Sequence, residues 1–460
     1  MFCPNCGKKC GDNDLFCGGC GTRLPARPVT ASPAADAAPV APAVRAAGDT
    51  PAALATHGAG IPSGCGVASA ASARADARAG SCAAAGSKEP AGPMAEGVIF
   101  TNLQALARKF GTDAAAVRKL LAAYAEASAA HGIRYRIVDA GDYVFLNPEA
   151  GRNRAVALSP ADSWVEHGYL LADYYRFGRS TADDETNYLF IVGGADVIPM
   201  PVLPQYISDP DYSDTDIDSD IPYAYLLGER TYPMLGTAEI FQYEQYFHTG
   251  RLPLAHDASL DDLAGYLRRA AKAPGSMAVG RAYGQTDLTW LSASASVSEP
   301  FRRNRLFRGD VRLDERIYTQ NLFVSPCVER SIVDKVFDRG ADFYYFNLHG
   351  SDAPTACSFY ASYQQQCYEA VTPRQLASAE KPNVVVTEAC YGGKFQDYGR
   401  GETMLLAAMG DMTLLYLGSS RIAWGASKSS SAADLDNADR LTNVYMAKLL
   451  EGYTAGEAFY

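Results

Sequence analysis

Two apolar runs without alternation restrict the fold more than anything else in the chain. Phe343–Gly350 reads FYYFNLHG and Val384–Phe395 reads VVVTEACYGGKF. A strand with one face in water alternates apolar and polar residues, whereas a strand covered on both faces is apolar throughout. Both runs therefore read as buried strands of a parallel sheet. Each stops at a reactive side chain followed by glycine: His349-Gly350 in the first, Cys390 with Gly392-Gly393 behind it in the second. In an open parallel sheet the chemistry collects at the strand C-termini. Neighbouring strands would present an imidazole and a thiol at one rim.

A cysteine or a histidine at a strand end is, alone, ordinarily a packed or hydrogen-bonded core residue. The two together, distant in sequence and each followed by glycine, have the arrangement of a cysteine nucleophile and its general base. Glycine lets backbone N–H groups approach a substrate carbonyl with no side chain in between. Cys390 and His349 are thus the candidate catalytic pair, with the Gly350 and Cys390 amides as oxyanion donors.

The pair LHGS and EACYGGKF, followed by TLLYLGSSRIAWG (Thr413–Gly425), resembles the catalytic half of the gingipain-like cysteine peptidases. That clan also holds caspases, clostripain and separase. YLFIVGGADVIPMP (Tyr188–Pro201) and TGRLPL (Thr249–Leu254) resemble the same family in the same order. The resemblance runs from Val98 to the C-terminus. It implies an α/β, caspase-like parallel-sheet sandwich in which an N-terminal α/β subdomain (97–275) packs beside a catalytic one (276–460). It also implies that His349 lies across the scissile bond from Cys390 and acts mainly on the leaving amine.

The N-terminus carries a different signal. Cys3-Pro-Asn-Cys6 and Cys17-Gly-Gly-Cys20 are two Cys-x-x-Cys knuckles, each followed by glycine, which suit a closed tetrahedral zinc site. Phe2, Phe16 and Leu24 are too little apolar mass for residues 1–24 to fold without metal. The stretch resembles a short zinc-ribbon with a structural zinc, Cys10 being the spare thiol. A closed site points to a regulatory protein partner or to zinc sensing. Residues 25–96 turn to Ala, Pro, Gly and Ser, a composition that cannot offset its ordering entropy, and read as a disordered linker.

Strand and helix signals alternate through the body. Val98-Ile99-Phe100 is followed by helical spacing at Val117, Leu120, Leu121 and Tyr124, then by a strand at Ile133–Val138. Ser159-Pro160 reads as a helix start running toward Arg176, with a strand next at Tyr188–Gly193. Ser325-Pro326 reads as the start of a helix carrying Ile332, Val333, Val336 and Phe337, with Gly340 as its stop. A helix around Glu402–Met409 precedes the strand Thr413–Leu417. The last residues, Ala458-Phe459-Tyr460, resemble an opening helical turn and leave a truncated chain open.

The remaining candidates concern specificity. Ser419, Ser420 and Trp424 would wall the pocket for the residue before the cut, where relatives favour Arg, Lys or Asp. Glu388, two positions before Cys390, would share its face on an extended strand, the alternative being a structural ion pair. Asp209–Asp220 (DPDYSDTDIDSD) could wrap calcium, as in some relatives, though it lacks the EF-hand glycine and glutamate. A solvated acidic loop, or a cleft preferring basic side chains, is the other reading.

Composition bounds the rest. A net charge of −11 argues against nucleic-acid or anionic-membrane surfaces, and no apolar run reaches the roughly 18 residues of a membrane span. The thiol-rich N-terminus without an apolar leader points to a reducing, cytoplasmic address. The expected function is a regulated intracellular cysteine endopeptidase acting on protein or peptide substrates. A catalytically silent zinc-ribbon scaffold, or another thiol hydrolase or transpeptidase on the same pair, stays open.

Overall fold

The computed structural model describes residues 95–146, 155–179, 187–203, 217–226, 244–273, 279–304, 318–319, 322–352, 357–410 and 412–460. Cys3, Cys6, Cys17 and Cys20, nearly all of the linker, and residues 209–216 of the acidic run lie outside them. The protein is α/β, with parallel sheets in two halves. The first sheet runs, edge to edge, Ile133–Asp139, Ala95–Thr101, Asn187–Val192, His248–Leu252, all parallel. Its first strand begins at Ala95, inside the range read from sequence as linker, because Val98, Ile99 and Phe100 need the full strand length to reach the core.

The second sheet has the order Tyr318–Thr319, Leu322–Ser325, Ala282–Asp287, Phe343–Asn347, Asn383–Thr387, Thr413–Leu417. Only the short Tyr318–Thr319 strand is antiparallel. In each sheet the first strand is flanked on both sides: Ala95–Thr101 by Ile133–Asp139 and Asn187–Val192, and Ala282–Asp287 by Leu322–Ser325 and Phe343–Asn347. The chain therefore reverses its winding beside the first strand of each sheet, which opens a crevice at the strand C-termini.

The apolar run at 343–347 is covered on both faces, as its pattern required. Tyr344 and Phe346 pack with Val333, Val336 and Phe337 of the helix Arg330–Arg339 and with Met404 and Ala408. Phe343 and Tyr345 face the other way, onto Val297, Phe301, Tyr445 and Met446. Tyr344 and Phe346 lie nearly coplanar, at 9°. Phe346→Ala is expected to cost about 3–5 kcal/mol, the range for a fully buried aromatic, read as a lower denaturant midpoint with an unchanged slope.

Two helix starts differ from the sequence reading. The helix Trp164–Phe177 is capped by Ser163, whose hydroxyl accepts from the Glu166 amide, not by Ser159-Pro160. Ser159 instead closes a turn: its amide donates to Asp162 and its hydroxyl accepts from the Ala161 amide. Ser325 is the last residue of a strand, joined to Pro326 by a cis bond, and the following helix begins at Arg330. Ser325 is held there by the Gln285 amide at 2.7 Å, a partner no local pattern announces. Gly340 does end that helix, at φ +63°, where a side chain would strain the backbone. No helix among the described residues is long and apolar enough to cross a membrane.

Candidate active site

Register brings the two reactive residues together. The strand Phe343–Asn347 pairs in parallel with Asn383–Thr387, Phe343 with Val384 through Phe346 with Thr387. The Glu388 amide then donates to the Phe346 carbonyl at 2.9 Å, carrying the match past the strand end. His349 and Cys390 each follow three residues after the last strand pair, Phe346 with Thr387, just past the strand ends. The backbones are in close contact there: a Cβ on Gly350 would lie 1.8 Å from the Cys390 carbonyl oxygen and 3.3 Å from Cβ of Ala389. Glycine at 350 is what allows the approach.

His349 is fixed through backbone and ring alike. Its amide and carbonyl exchange 2.8 Å hydrogen bonds with Tyr360, on the hairpin Phe359–Tyr363/Gln366–Val371. Its Nε2 lies 3.3 Å from Oγ of Ser362 and 3.9 Å from Oδ2 of Asp287. The Trp290 ring stands 4.4 Å away, tilted 54°. Burial pushes the imidazole below its ordinary range, and the Asp287 carboxylate partly opposes that.

Asp287 and Trp290 were not singled out in the sequence. Asp287 ends the strand Ala282–Asp287, on the opposite side of the His349 strand from Cys390, at the winding reversal. It is 0% exposed, and its two oxygens accept the amides of Thr289 and Ser362, both at 2.6 Å. Those bonds aim a charged group at the imidazole without leaving it mobile. Asp287→Asn replaces one acceptor by a donor and removes the charge. It is expected to lower kcat by about a hundredfold, the scale of general acid–base assistance. Because the Asp287 charge raises His349, the variant should also shift the acid limb of kcat/KM to lower pH, which a pH–rate profile would read.

The chain turns sharply after Cys390. Tyr391 adopts φ +56°, rare for a bulky residue, and its amide donates to the Arg421 carbonyl at 2.7 Å. The Gly393 amide donates to Ser419, and a Cβ on Gly393 would meet the Gly418 carbonyl at 2.5 Å. Half-buried Cys390 places its Sγ 3.7 Å from the Ala423 carbonyl. The Ala423 carbonyl thus lies against the thiol, with Trp424 next in the chain, and Ser419 accepts the Gly393 amide behind Cys390. Ser420 turns to the other side, donating to the Asp218 carbonyl at 2.9 Å.

Glu388 does not line the site. It is 8% exposed and packs inward, where Tyr345 Oη donates to its carboxyl at 3.3–3.4 Å. Its other partners, Asp439 and Thr442, belong to the helix Asn437–Leu450. The chain leaves its extended course after Thr387, so the two-residue spacing from Cys390 no longer sets a common face. Nor is Glu388 in an ion pair with a base: its charged neighbour is another carboxyl. Of the acidic run, Asp220 holds Arg251 through two bonds of 2.6 and 2.8 Å, and Asp218 faces Arg421 at 3.7 Å. Both carboxylates are taken up by arginine and are poorly suited to calcium. Among the described residues no group of His, Cys, Asp and Glu is arranged to hold a metal.

In a search of solved structures, the chain is similar to one described only as a protease, at 14% identity and TM-score 0.43, over 79% of this chain and 75% of that one. It is similar to the complex of Porphyromonas gingivalis RgpB pro- and mature domains, at 13% identity and TM-score 0.46, covering 78% and 69%. A third is the Arg specific cysteine proteinase gingipain R, at 12% identity and TM-score 0.47, covering 80% and 70%. No curated protein matches the chain. The family model for peptidase family C25 matches residues 169–460, well over half of the sequence and all of the site, and the chain belongs to that family of cysteine peptidases.

Proposed function

We propose that the protein is an endopeptidase in which Cys390 is the nucleophile and His349 moves the proton. The observation that carries this reading is the close backbone contact of Gly350, next to His349, with Cys390 at the ends of two paired strands. As the Cys390 sulfur adds to the scissile carbonyl carbon its proton passes to His349, and the carbonyl oxygen takes the negative charge. Backbone N–H groups of Gly350 and Cys390 are the donors for that oxyanion. His349 gives a proton to the departing amine, leaving a thioester. It then takes one from water as water attacks the thioester, which releases the acid and restores the thiol. With Nε2 turned to Asp287 and Ser362, the proton is handled at Nδ1.

Ser419 and Trp424 wall the pocket for the residue before the cut. Ser420, donating to the Asp218 backbone carbonyl, ties that wall to the end of the acidic run. Zinc at Cys3, Cys6, Cys17 and Cys20 would fold a small module that docks a regulatory protein. Calcium on the acidic run would have to draw on residues 209–216. A reducing, intracellular address rests on the four-thiolate array alone.

The test is a library of fluorogenic peptides varied before the cut, run beside a thiol-directed probe, with Cys390→Ala as control. Cleavage and labelling that both vanish in the variant support the reading. Transfer of the acyl group to an added amine in place of water would make it a transpeptidase. Neither labelling nor cleavage, with calcium and reductant supplied, would leave the scaffold reading.

A further inference from the structure

Glu388 is the buried acid that this chemistry leaves unused, and its partner Asp439 is 1% exposed. The two carboxyl groups are hydrogen-bonded to each other. Asp439 also accepts the Ala426 amide, and its Oδ2 lies 2.7 Å from where a Cβ on Gly425 would stand. On the same helix the Ala438 amide donates to the Trp424 carbonyl at 2.9 Å. Ala423, one residue earlier, faces the Cys390 sulfur through its carbonyl. The contacts close a ring: Cys390 to Ala423, along the segment to Ala426, across to Asp439 and Glu388, and back along the chain to Cys390.

Two carboxyl groups can hydrogen-bond only with a proton between them, since an ionised carboxylate is acceptor-only. We propose that Glu388 and Asp439 share that proton as a latch that positions the 423–426 wall of the substrate pocket against Cys390. The latch rests on the peptidase reading for its effect on turnover, but not for its existence. Burial and the neighbouring carboxyl push Glu388 well above the usual carboxylate range. The surroundings do not replace the proton. Tyr345 and Thr442 offer hydroxyls to Glu388, the loop offers only the Ala426 amide to Asp439, and Asp436 adds a further negative charge. A raised carboxyl holds its proton at low pH and loses it as pH climbs through the folded-state value. The latch is therefore closed on the acid side and opens on the alkaline side, when two buried anions repel each other and Asp439 releases the loop.

Glu388→Gln supplies an N–H in place of the O–H and cannot ionise. In the wild type, 1/KM is expected to fall about tenfold or more on the alkaline side, on the scale of one lost charge-assisted hydrogen bond, with kcat falling less. In E388Q that fall should be absent, and in Glu388→Ala KM should be raised at every pH. Carbon-13 carboxyl NMR of protein labelled at glutamate should show one resonance titrating far above the rest, missing in E388Q. Should the wild type cleave no peptide, the pH dependence of thiol-probe labelling of Cys390, as the ratio of wild type to E388Q, carries the same test. Identical profiles in the two proteins, or no high-titrating glutamate, would overturn the latch.

Discussion

Cys390→Ala is expected to lower kcat/KM by about ten-thousand-fold or more, the scale on which removing a nucleophile acts, while leaving the thermal midpoint nearly unchanged. The stability half of that expectation follows from the packing. Cys390 is only half-buried, its thiol donates to the Ala423 carbonyl at 3.7 Å, and alanine fills the place without strain. The activity half follows from chemistry, since alanine carries no nucleophile to attack the scissile carbonyl. What remains is transition-state binding by the backbone donors alone. His349→Ala in the same background should add little, because residues acting as one unit are not additive. A variant that kept a tenth of wild-type turnover would remove Cys390 from the mechanism.

Gly350→Ala is the second large effect, and it works through the backbone. An added methyl would lie 1.8 Å from the Cys390 carbonyl oxygen, an atom that cannot rotate away. The strand ends carrying His349 and Cys390 would have to part. Overpacking of this kind costs about 1–3 kcal/mol, and a displacement near 1 Å costs about a hundredfold in rate. The thiol is still present, so a small thiol-directed probe should go on labelling Cys390. Lost turnover, retained labelling and a lowered thermal midpoint are the expected combination. Wild-type turnover in Gly350→Ala would show that the two strand ends do not have to touch.

The runs at 343–350 and 384–395 were legible because burial on both faces writes itself as an unbroken apolar stretch. Asp287 was hidden for the opposite reason. Its strand, AYGQTD, is half polar, yet all six residues are buried. Gln285 is satisfied by Ser325 of another strand as well as by Tyr283 of its own, and Thr286 by Ser294 of the following helix. A buried polar strand made acceptable by tertiary hydrogen bonds carries no local pattern. Glu388 was misplaced because the alternation of faces holds only while the chain stays extended, and here the strand has ended at Thr387. The helix starts at Ser159 and Ser325 failed similarly: serine and proline suit a turn or a strand end as well as a cap, and distant partners decide among them.

The order of the strands also governs when the site is complete. Asp287, His349, Cys390 and the segment held by Asp439 come from successive stretches of chain, and the Ala282–Asp287 strand, the first of its sheet to be made, sits next to the His349 strand, the fourth. A ribosome delivers them one after another. A nascent chain that has exposed both His349 and Cys390 still lacks Ala423 against the sulfur and the helix that grips Gly425 and Ala426. The helix Asn437–Leu450 that holds this segment is made after both reactive residues, so this wall of the site is the last part of it to assemble.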